Sequence, residues 1–294
     1  MSGMWIALQR LIPVKAIVAR SAIQPFKLTS CFSSGGVTMS KQSGSSRPAP
    51  WRHLLDSHLS QTPNKEFTIA TVGYDAEQRP VPRLRTCGCR EFFPEVDLHP
   101  AGQEAMNQQV KGGGNPAVFE SDMLCFTTDA RMEKLPQLES SGHAVEAVFW
   151  LKDLMSQWRI KGTAYAIGDP NPENQQEETS RAEIMKSLRV KDGDGQGVEA
   201  WTWDNAVTKY FAVHSPVERG KPGSMVPSQP DLGLGQKVTD LYDPVARANF
   251  RVVVIKPQEV ERLDLTDQEN GKRWNWKLTG DNDDAEWNQT EVWP

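Results

Sequence analysis

The chain has 294 residues, enough for one large domain or two modest ones, and enough to bury a full core without disulfides or a structural metal. Its 33 Lys+Arg against 38 Asp+Glu leave a net charge of −5, the wrong sign for a general nucleic-acid binder. No stretch approaches the ~20 apolar residues that span a bilayer, so the sequence reads as soluble, intracellular and without a membrane partner.

The stretch before Asp56 has no acidic residue but contains Arg10, Lys15, Arg20, Lys27, Lys41, Arg47 and Arg52 among many Ser. That composition suits a mitochondrial transit segment; an unstructured tail, or an extension before a start at Met39, fits it as well, and mitochondrial and cytoplasmic locations both stay open. Residues 1–48 are therefore predicted to be a targeting or disordered segment. Ordered structure is expected to begin near Trp51 after a Ser/Gly/Pro linker.

The remainder, 49–294, reads as one domain built mainly of strands. EFTIATVGY (66–74) is β-branched and aromatic, DAEQ (75–78) is a turn, and a second strand follows near 81–90. Residues 94–120, with Gly112-Gly113-Gly114 and no periodicity, read as a long insertion loop. SDMLCFTT (121–128) is a third strand, and 129–141 a short helix capped by Asp129. A fourth strand covers 143–151. In 155–166, Trp158, Ile160, Gly162 and Ala164 alternate with Gln157, Arg159, Lys161 and Thr163. A second insertion over 170–248 is expected to hold helices at 172–189 and 204–212 and a Pro/Gly-rich loop at 214–248. Strands return at 249–257, 259–265 and 272–278. Ten Trp, clustered late, favour a packed sheet there. Short antiparallel strands with helices inserted late predict a barrel with flanking helices.

Cys31, Cys87, Cys89 and Cys125 are too few for a disulfide framework, and the Cys87-Gly88-Cys89 spacing does not suit a zinc knuckle. No metal site is expected. The chain has no Walker loop, GxSxG or GxGxxG, so nucleotide and serine hydrolysis lack motif support. What stands out is a set of basic and polar groups on strands that otherwise look internal: Arg85 and Arg90 around TCGC, Thr127-Thr128, Lys134 and Gln157. Paired guanidinium donors and hydroxyls suit a phosphate-bearing ligand. Each of these residues alone is more readily read as a solvent-facing side chain.

Taken in order, these pieces resemble the pyridoxamine 5′-phosphate oxidase family of FMN-binding split barrels. RTCGCR (85–90) is similar to the family strand with Arg and a second basic residue five positions on. FTTDARMEK (126–134) matches a strand-to-helix segment with Thr six residues before Lys. QWRIKG (157–162) matches a strand in which Gln precedes Gly by five, and NFRVVVIKPQEVERL (249–263) with RW (273–274) resembles the closing strands. The opening APW and the TDxR form are typical of a less characterised branch. The resemblance implies an antiparallel split barrel, a homodimer and FMN at each subunit interface. It implies further that Arg85, Thr128 and Lys134 hold the phosphate and ribityl region. Arg90, Thr127 and Gln157 would line the chain or ring, and Arg273 would approach the ring. Arg85 and Arg90 fall on opposite faces of a regular strand, so they share one site only if Arg90 lies past a bulge or at the strand end.

Three departures from the pattern bear on function. The family's ring-contacting Trp is Leu263 here. Where the family's oxidases carry Arg-x-His-x-Arg, this chain has Glu269-Asn270-Gly271-Lys272-Arg273, and at the Tyr-x3-Arg-x3-Ser phosphate clamp it offers only Tyr210, His214 and Glu218. The expected function is thus an FMN-dependent oxidoreductase acting on an unidentified small molecule other than pyridoxamine 5′-phosphate. The alternative is a flavin-binding or sensing protein without turnover.

Overall fold

The alternation in EFTIATVGY is realised as strand β1 (Glu66–Tyr74), in which the odd positions from Phe67 to Gly73 are buried. A computed structural model of the chain describes residues 47–171, 173–191, 197–220, 237–280 and 285–294. The expectations for 1–46, including the transit segment and Cys31, lie outside the described residues.

β1 pairs antiparallel with β2 (Pro80–Phe92) on one side and β5 (Ala144–Leu151) on the other. The sheet order is β10-β9-β8-β4-β2-β1-β5-β6, and β6 (Ser156–Ile167) returns to pair with β8 (Phe250–Asp264). Strands β8-β4-β2-β1-β5-β6 therefore close on themselves. β4 (Leu124–Asp129) supplies the wall between β2 and β8, while β9 (Lys272–Thr279) and β10 (Glu286–Val292) run on from the C-terminal half of β8 as an open flap. This is the antiparallel split barrel with flanking helices that the sequence predicts.

Where the sequence suggests two strands at 249–257 and 259–265, β8 is continuous. Lys161 faces Glu259 but Gly162 faces Pro257, so Gln258 is an extra residue absorbed as a bulge. Pro257 lies at the irregularity, which is why it interrupts the sequence pattern without ending the strand.

Two cores share the β4–β8 wall. Inside the barrel, Phe67, Ile69, Phe126, Trp158 and Val253 pack with Trp51 and Trp276. Trp158 stacks on Trp276 at 6.0 Å, and Trp51 meets Trp287 edge-on at 5.5 Å, so two of the late Trp side chains tie the flap to the rest of the core. Outside, Cys125, Val252 and Val254 pack against Tyr210 and Phe211 of α5 (Trp203–Ala212) and Ile184 of α4 (Gln175–Met185). Strands covered on both faces show a continuous apolar run rather than alternation, as in RVVVI.

Four expectations need correction. Residues 94–120 are not a loop throughout: Pro100–Gln109 form α2, started by Pro100 at its first position and by His99, whose ring accepts a hydrogen bond from Gly102 N at 3.1 Å. The helix expected over 129–141 is only α3 (Lys134–Ser140). Asp129 caps a turn instead, accepting from Arg131 N at 2.8 Å while its carboxylate pairs with the Arg131 guanidinium. Within 214–248, Pro216–Arg219 form α6 and Pro244–Asn249 form α7; 221–236 lie outside the described residues. Finally, α1 (Arg52–Ser60) and β10 are elements that the sequence pattern did not suggest. A short two-stranded ladder of β3 (Phe119–Glu120) and β7 (Arg189–Val190) joins the two insertions, fastened by Arg189 to Glu120 and Asp122.

Candidate functional site

Residues paired across a ladder share a face, so register decides which of the candidate side chains can meet. Arg85 is opposite Ile69, which is fully buried, so Arg85 points to the inner face at the end of the barrel. There its guanidinium donates to Thr71 Oγ1 and Gln137 Oε1, both at 2.5 Å. Thr128, one residue before the end of β4, lies on the same inner face, and Lys134, the first residue of α3, donates to Thr128 Oγ1 at 2.9 Å and to the Met132 sulfur at 2.8 Å. Arg85, Thr128 and Lys134 thus form one cradle, with Cys87 between the two cations. Burial raises the Cys87 thiol, and Lys134 and Arg85 oppose that shift.

The cradle is short of negative charge. Among the described residues, neither Arg85 nor Lys134 makes an ion pair; their partners are hydroxyls, an amide oxygen, a backbone carbonyl and a thioether. Burial lowers the Lys134 ammonium, and Arg85 lowers it further against the opposing pull of Cys87 and the more distant Asp129. Burial likewise lowers Arg85, with Cys87 and Glu133 opposing. Two half-buried cations without a carboxylate partner mark a place for an anion, and a phosphate supplies the missing acceptors. The donor set fits an FMN phosphate.

Arg90 and Thr127 face the other way. The extra residue in β2 lies between Cys89 and Phe92, with Glu91 at φ 62°, so Arg90 does sit in a bulge. The bulge does not turn it inward, however: its guanidinium lies 3.8 Å from where a Cβ on Gly88 would be, on the face opposite Arg85. Thr127 shares that outer face, because β4 alternates. Its hydroxyl is 2.7 Å from His214 Nε2, at the end of α5. The adjacent Thr127 and Thr128 therefore serve different sides of one strand.

A cavity of about 400 Å³ opens here, walled by Thr127, Met132, Phe211, His214 and Phe250, with Glu218 and Arg219 among its charged groups. Tyr210, spaced like the first residue of the family clamp, does not reach it. Its ring is fully buried, stacked on Phe93 at 5.7 Å with its hydroxyl 3.2 Å from the Cys125 sulfur.

His214 is pushed down to about 4, chiefly by burial and then by the positive charge of Arg90, while Glu218 pulls the other way. A histidine lowered below its unfolded value of ~6.5 destabilises the fold as pH falls through the window between the two, because the unfolded chain takes up the proton first. Unfolding titrations between pH ~6.5 and ~4 are thus expected to show stability falling by up to about 1.4 kcal/mol per pH unit from this one group. His214→Gln is expected to flatten that slope; an unchanged slope would show that His214 does not carry it.

Gln157 and Arg273 lie elsewhere. Gln157 is opposite Leu263, and Leu263 opposite Arg273, so all three share the outer face at the far end of β8. They line a small cleft of about 80 Å³ with Arg159 and Glu261. Arg273 is already bound to Glu261, which also pairs with Arg159 at 3.5 Å. Around the barrel the register runs from Arg85 through Ile69 and Ala147 to Ile160, three ladder steps, with Gln157 three residues further along β6, and no cradle residue lines the Arg273 cleft. Thr71 and Gln137 were missed at the sequence level. Alternation from Ile69 could have placed Thr71 inward, but Gln137 has no sequence signal.

A closed six-stranded antiparallel barrel with a flap, and an anion cradle at its end, defines the class by fold: a split barrel. Consistent with the resemblance seen in the sequence, residues 48–168 match the family described as pyridoxamine 5′-phosphate oxidase, FMN-binding domain. The cradle residues Arg85, Thr128 and Lys134 all lie within that segment. Among solved structures, the chain is similar to a pyridoxamine 5′-phosphate oxidase-related, FMN-binding protein from Nostoc punctiforme, at 20 % identity and a TM-score of 0.53, covering 84 % of this chain and 100 % of that one. This likeness shows the fold. More distant likenesses are PhzG from Burkholderia lata, in complex with tetrahydrophenazine-1-carboxylic acid (14 % identity, TM-score 0.39, 88 % of this chain and 99 % of that one), and a Clostridium acetobutylicum protein related to general stress protein 26 (8 %, 0.33, 76 % and 92 %). No curated protein matches the chain. Among the described residues, no helix is long and apolar enough to cross a membrane, and no group of three or more His, Cys, Asp or Glu is placed to hold a metal ion.

Proposed function

We propose that the protein is an FMN-dependent oxidoreductase that works as a homodimer on a small molecule. The observation that carries the flavin assignment is the cradle itself, two half-buried cations in need of an anion. Arg85 and Lys134 would hold the phosphate, with Thr128 orienting the ammonium. When bound, FMN supplies two-electron chemistry at its ring, accepting hydride and passing electrons on; the protein supplies binding, orientation and electrostatics.

The dimer reading rests on the cradle and the Arg273 cleft having no lining residue in common. A second copy would bring another Arg273 and Gln157 to a ring anchored at the cradle. The outer barrel face offers a surface for that copy. Leu84 is opposite Ala70, Ala70 opposite Glu146, and Trp150 opposite Gln157, which places all five on one face. On it Leu84 is 66 % and Trp150 48 % exposed, beside Gln157 and Arg273. A twofold pairing of this face would cover both apolar groups and join the two halves of each site.

The test is to titrate purified full-length protein with FMN while measuring its mass, then to add amines, alcohols and nicotinamide nucleotides without oxygen. Bound flavin, a dimer mass and bleaching by at least one reductant are expected. Absence of flavin binding overturns the assignment, and a monomer at saturating FMN overturns the dimer. Bound flavin that none of these compounds bleaches leaves a binding protein without turnover.

A further inference from the structure

Arg85 is held in the cradle by a residue that carries no charge. Gln137 lies three residues after Lys134 on α3, so the two side chains leave the same face of the helix. The Gln137 Oε1 accepts from Arg85 Nη2 at 2.5 Å and from the Thr71 hydroxyl at 2.7 Å. Thr71, buried in β1, completes the ring: its Oγ1 accepts from Arg85 Nη1 at 2.5 Å. Because the Thr71 proton goes to Gln137, a Thr71 lone pair is left for the guanidinium. Both terminal nitrogens of Arg85 are thus tied to the Thr71–Gln137 pair, whereas its Nε makes no hydrogen bond among the described residues. A long side chain otherwise free to sample many rotamers is fixed in direction before any ligand arrives. Neutrality matters as much as geometry. A carboxylate at the same place would accept the same two hydrogen bonds, but it would pair with Arg85 and offset the charge that an anion requires. The exposed Glu133 acts on Arg85 from further away and forms no ion pair with it.

We propose that Gln137 is a positioning residue of the cradle: its amide oxygen aims the Arg85 guanidinium for an incoming phosphate, and its neutrality leaves that charge uncompensated. α3 then contributes twice, supplying one cation as Lys134 and orienting the other through Gln137. That the phosphate belongs to FMN rests on the flavin reading; that Gln137 acts through Arg85 does not.

The experiment titrates full-length protein with FMN, riboflavin and inorganic phosphate, comparing the wild type with Gln137→Met and Gln137→Glu, and repeats Gln137→Met on Arg85→Ala. Gln137→Met, similar in size but without the amide oxygen, is expected to weaken FMN about 10-fold, the low end for one hydrogen bond to a charged group. Gln137→Glu keeps an acceptor for Arg85 and is expected to weaken FMN by about 30- to 100-fold, with a urea midpoint no lower than that of the wild type. Riboflavin, which has no phosphate, is expected to change by less than about 2-fold in either variant. On Arg85→Ala, Gln137→Met is expected to weaken FMN no further, because Gln137 has no guanidinium left to orient. Unchanged FMN affinity in Gln137→Met, wild-type affinity in Gln137→Glu, an equal loss for riboflavin, or a further loss on Arg85→Ala would each overturn the proposal. If the wild type binds phosphate but not FMN, and the variants weaken phosphate in the same order, the flavin reading fails and the role of Gln137 stands. Binding of neither overturns both.

Discussion

Arg85→Glu is expected to purify without flavin. In the wild-type protein Arg85 and Lys134 face each other across Cys87 with neutral partners only, and charge-assisted hydrogen bonds to a phosphate are worth about 1.5–3 kcal/mol each. The substitution removes the Arg85 donors and puts a carboxylate where the phosphate would sit, so the interaction changes sign rather than fading. A loss on the order of 4 kcal/mol corresponds to roughly a thousandfold weaker Kd. Arg85→Gln retains a donor without the charge and is expected to lose about 10- to 100-fold, corresponding to ~1.4–2.8 kcal/mol. Flavin absorbance per protein and titration of the flavin-free form measure both. The variant chain is expected to fold, because Arg85 lies at the barrel end and is only half-buried. Arg85→Glu carrying wild-type flavin would place the phosphate elsewhere.

Gly162→Ala is expected to be the most damaging single methyl in the barrel. A Cβ there would lie 2.1 Å from Lys256 O and 3.1 Å from Pro257 Cα, both main-chain atoms of β8. No rotamer relieves a clash with backbone, so the bulge at Gln258 would have to shift by about 1 Å or more in the β6–β8 seam that closes the barrel. The expected cost exceeds ~3 kcal/mol and should appear as insoluble protein or a large drop in urea midpoint. Gly142→Ala is the contrast: φ is +66°, but nothing lies within 4 Å of its Cβ, so only backbone strain of about 1 kcal/mol is expected. Equal effects of the two would refute the steric account of Gly162.

Much of this was written in local patterns. β-Branched and aromatic content over 66–74 and alternation over 155–166 placed β1 and β6, and α4 falls inside the helix expected over 172–189, because each element's local pattern survives in the residues. The resemblance to the family grouped Arg85, Thr128 and Lys134 before any fold was known, and the fold brings their side chains to one end of the barrel. α1 and α2 were harder to see: their apolar residues are few, and α2 is started by a histidine cap. What tertiary structure alone decided was which candidates meet. A strand turns successive side chains to opposite faces, so Thr127 and Thr128, neighbours in sequence, serve the cavity and the cradle separately, and Arg90 joins His214 rather than Arg85. β8 carries both Arg251, opposite Thr128, and Leu263, opposite Arg273, and nothing in sequence order says how near the closed barrel brings them to the cradle, because that depends on how the strands are paired.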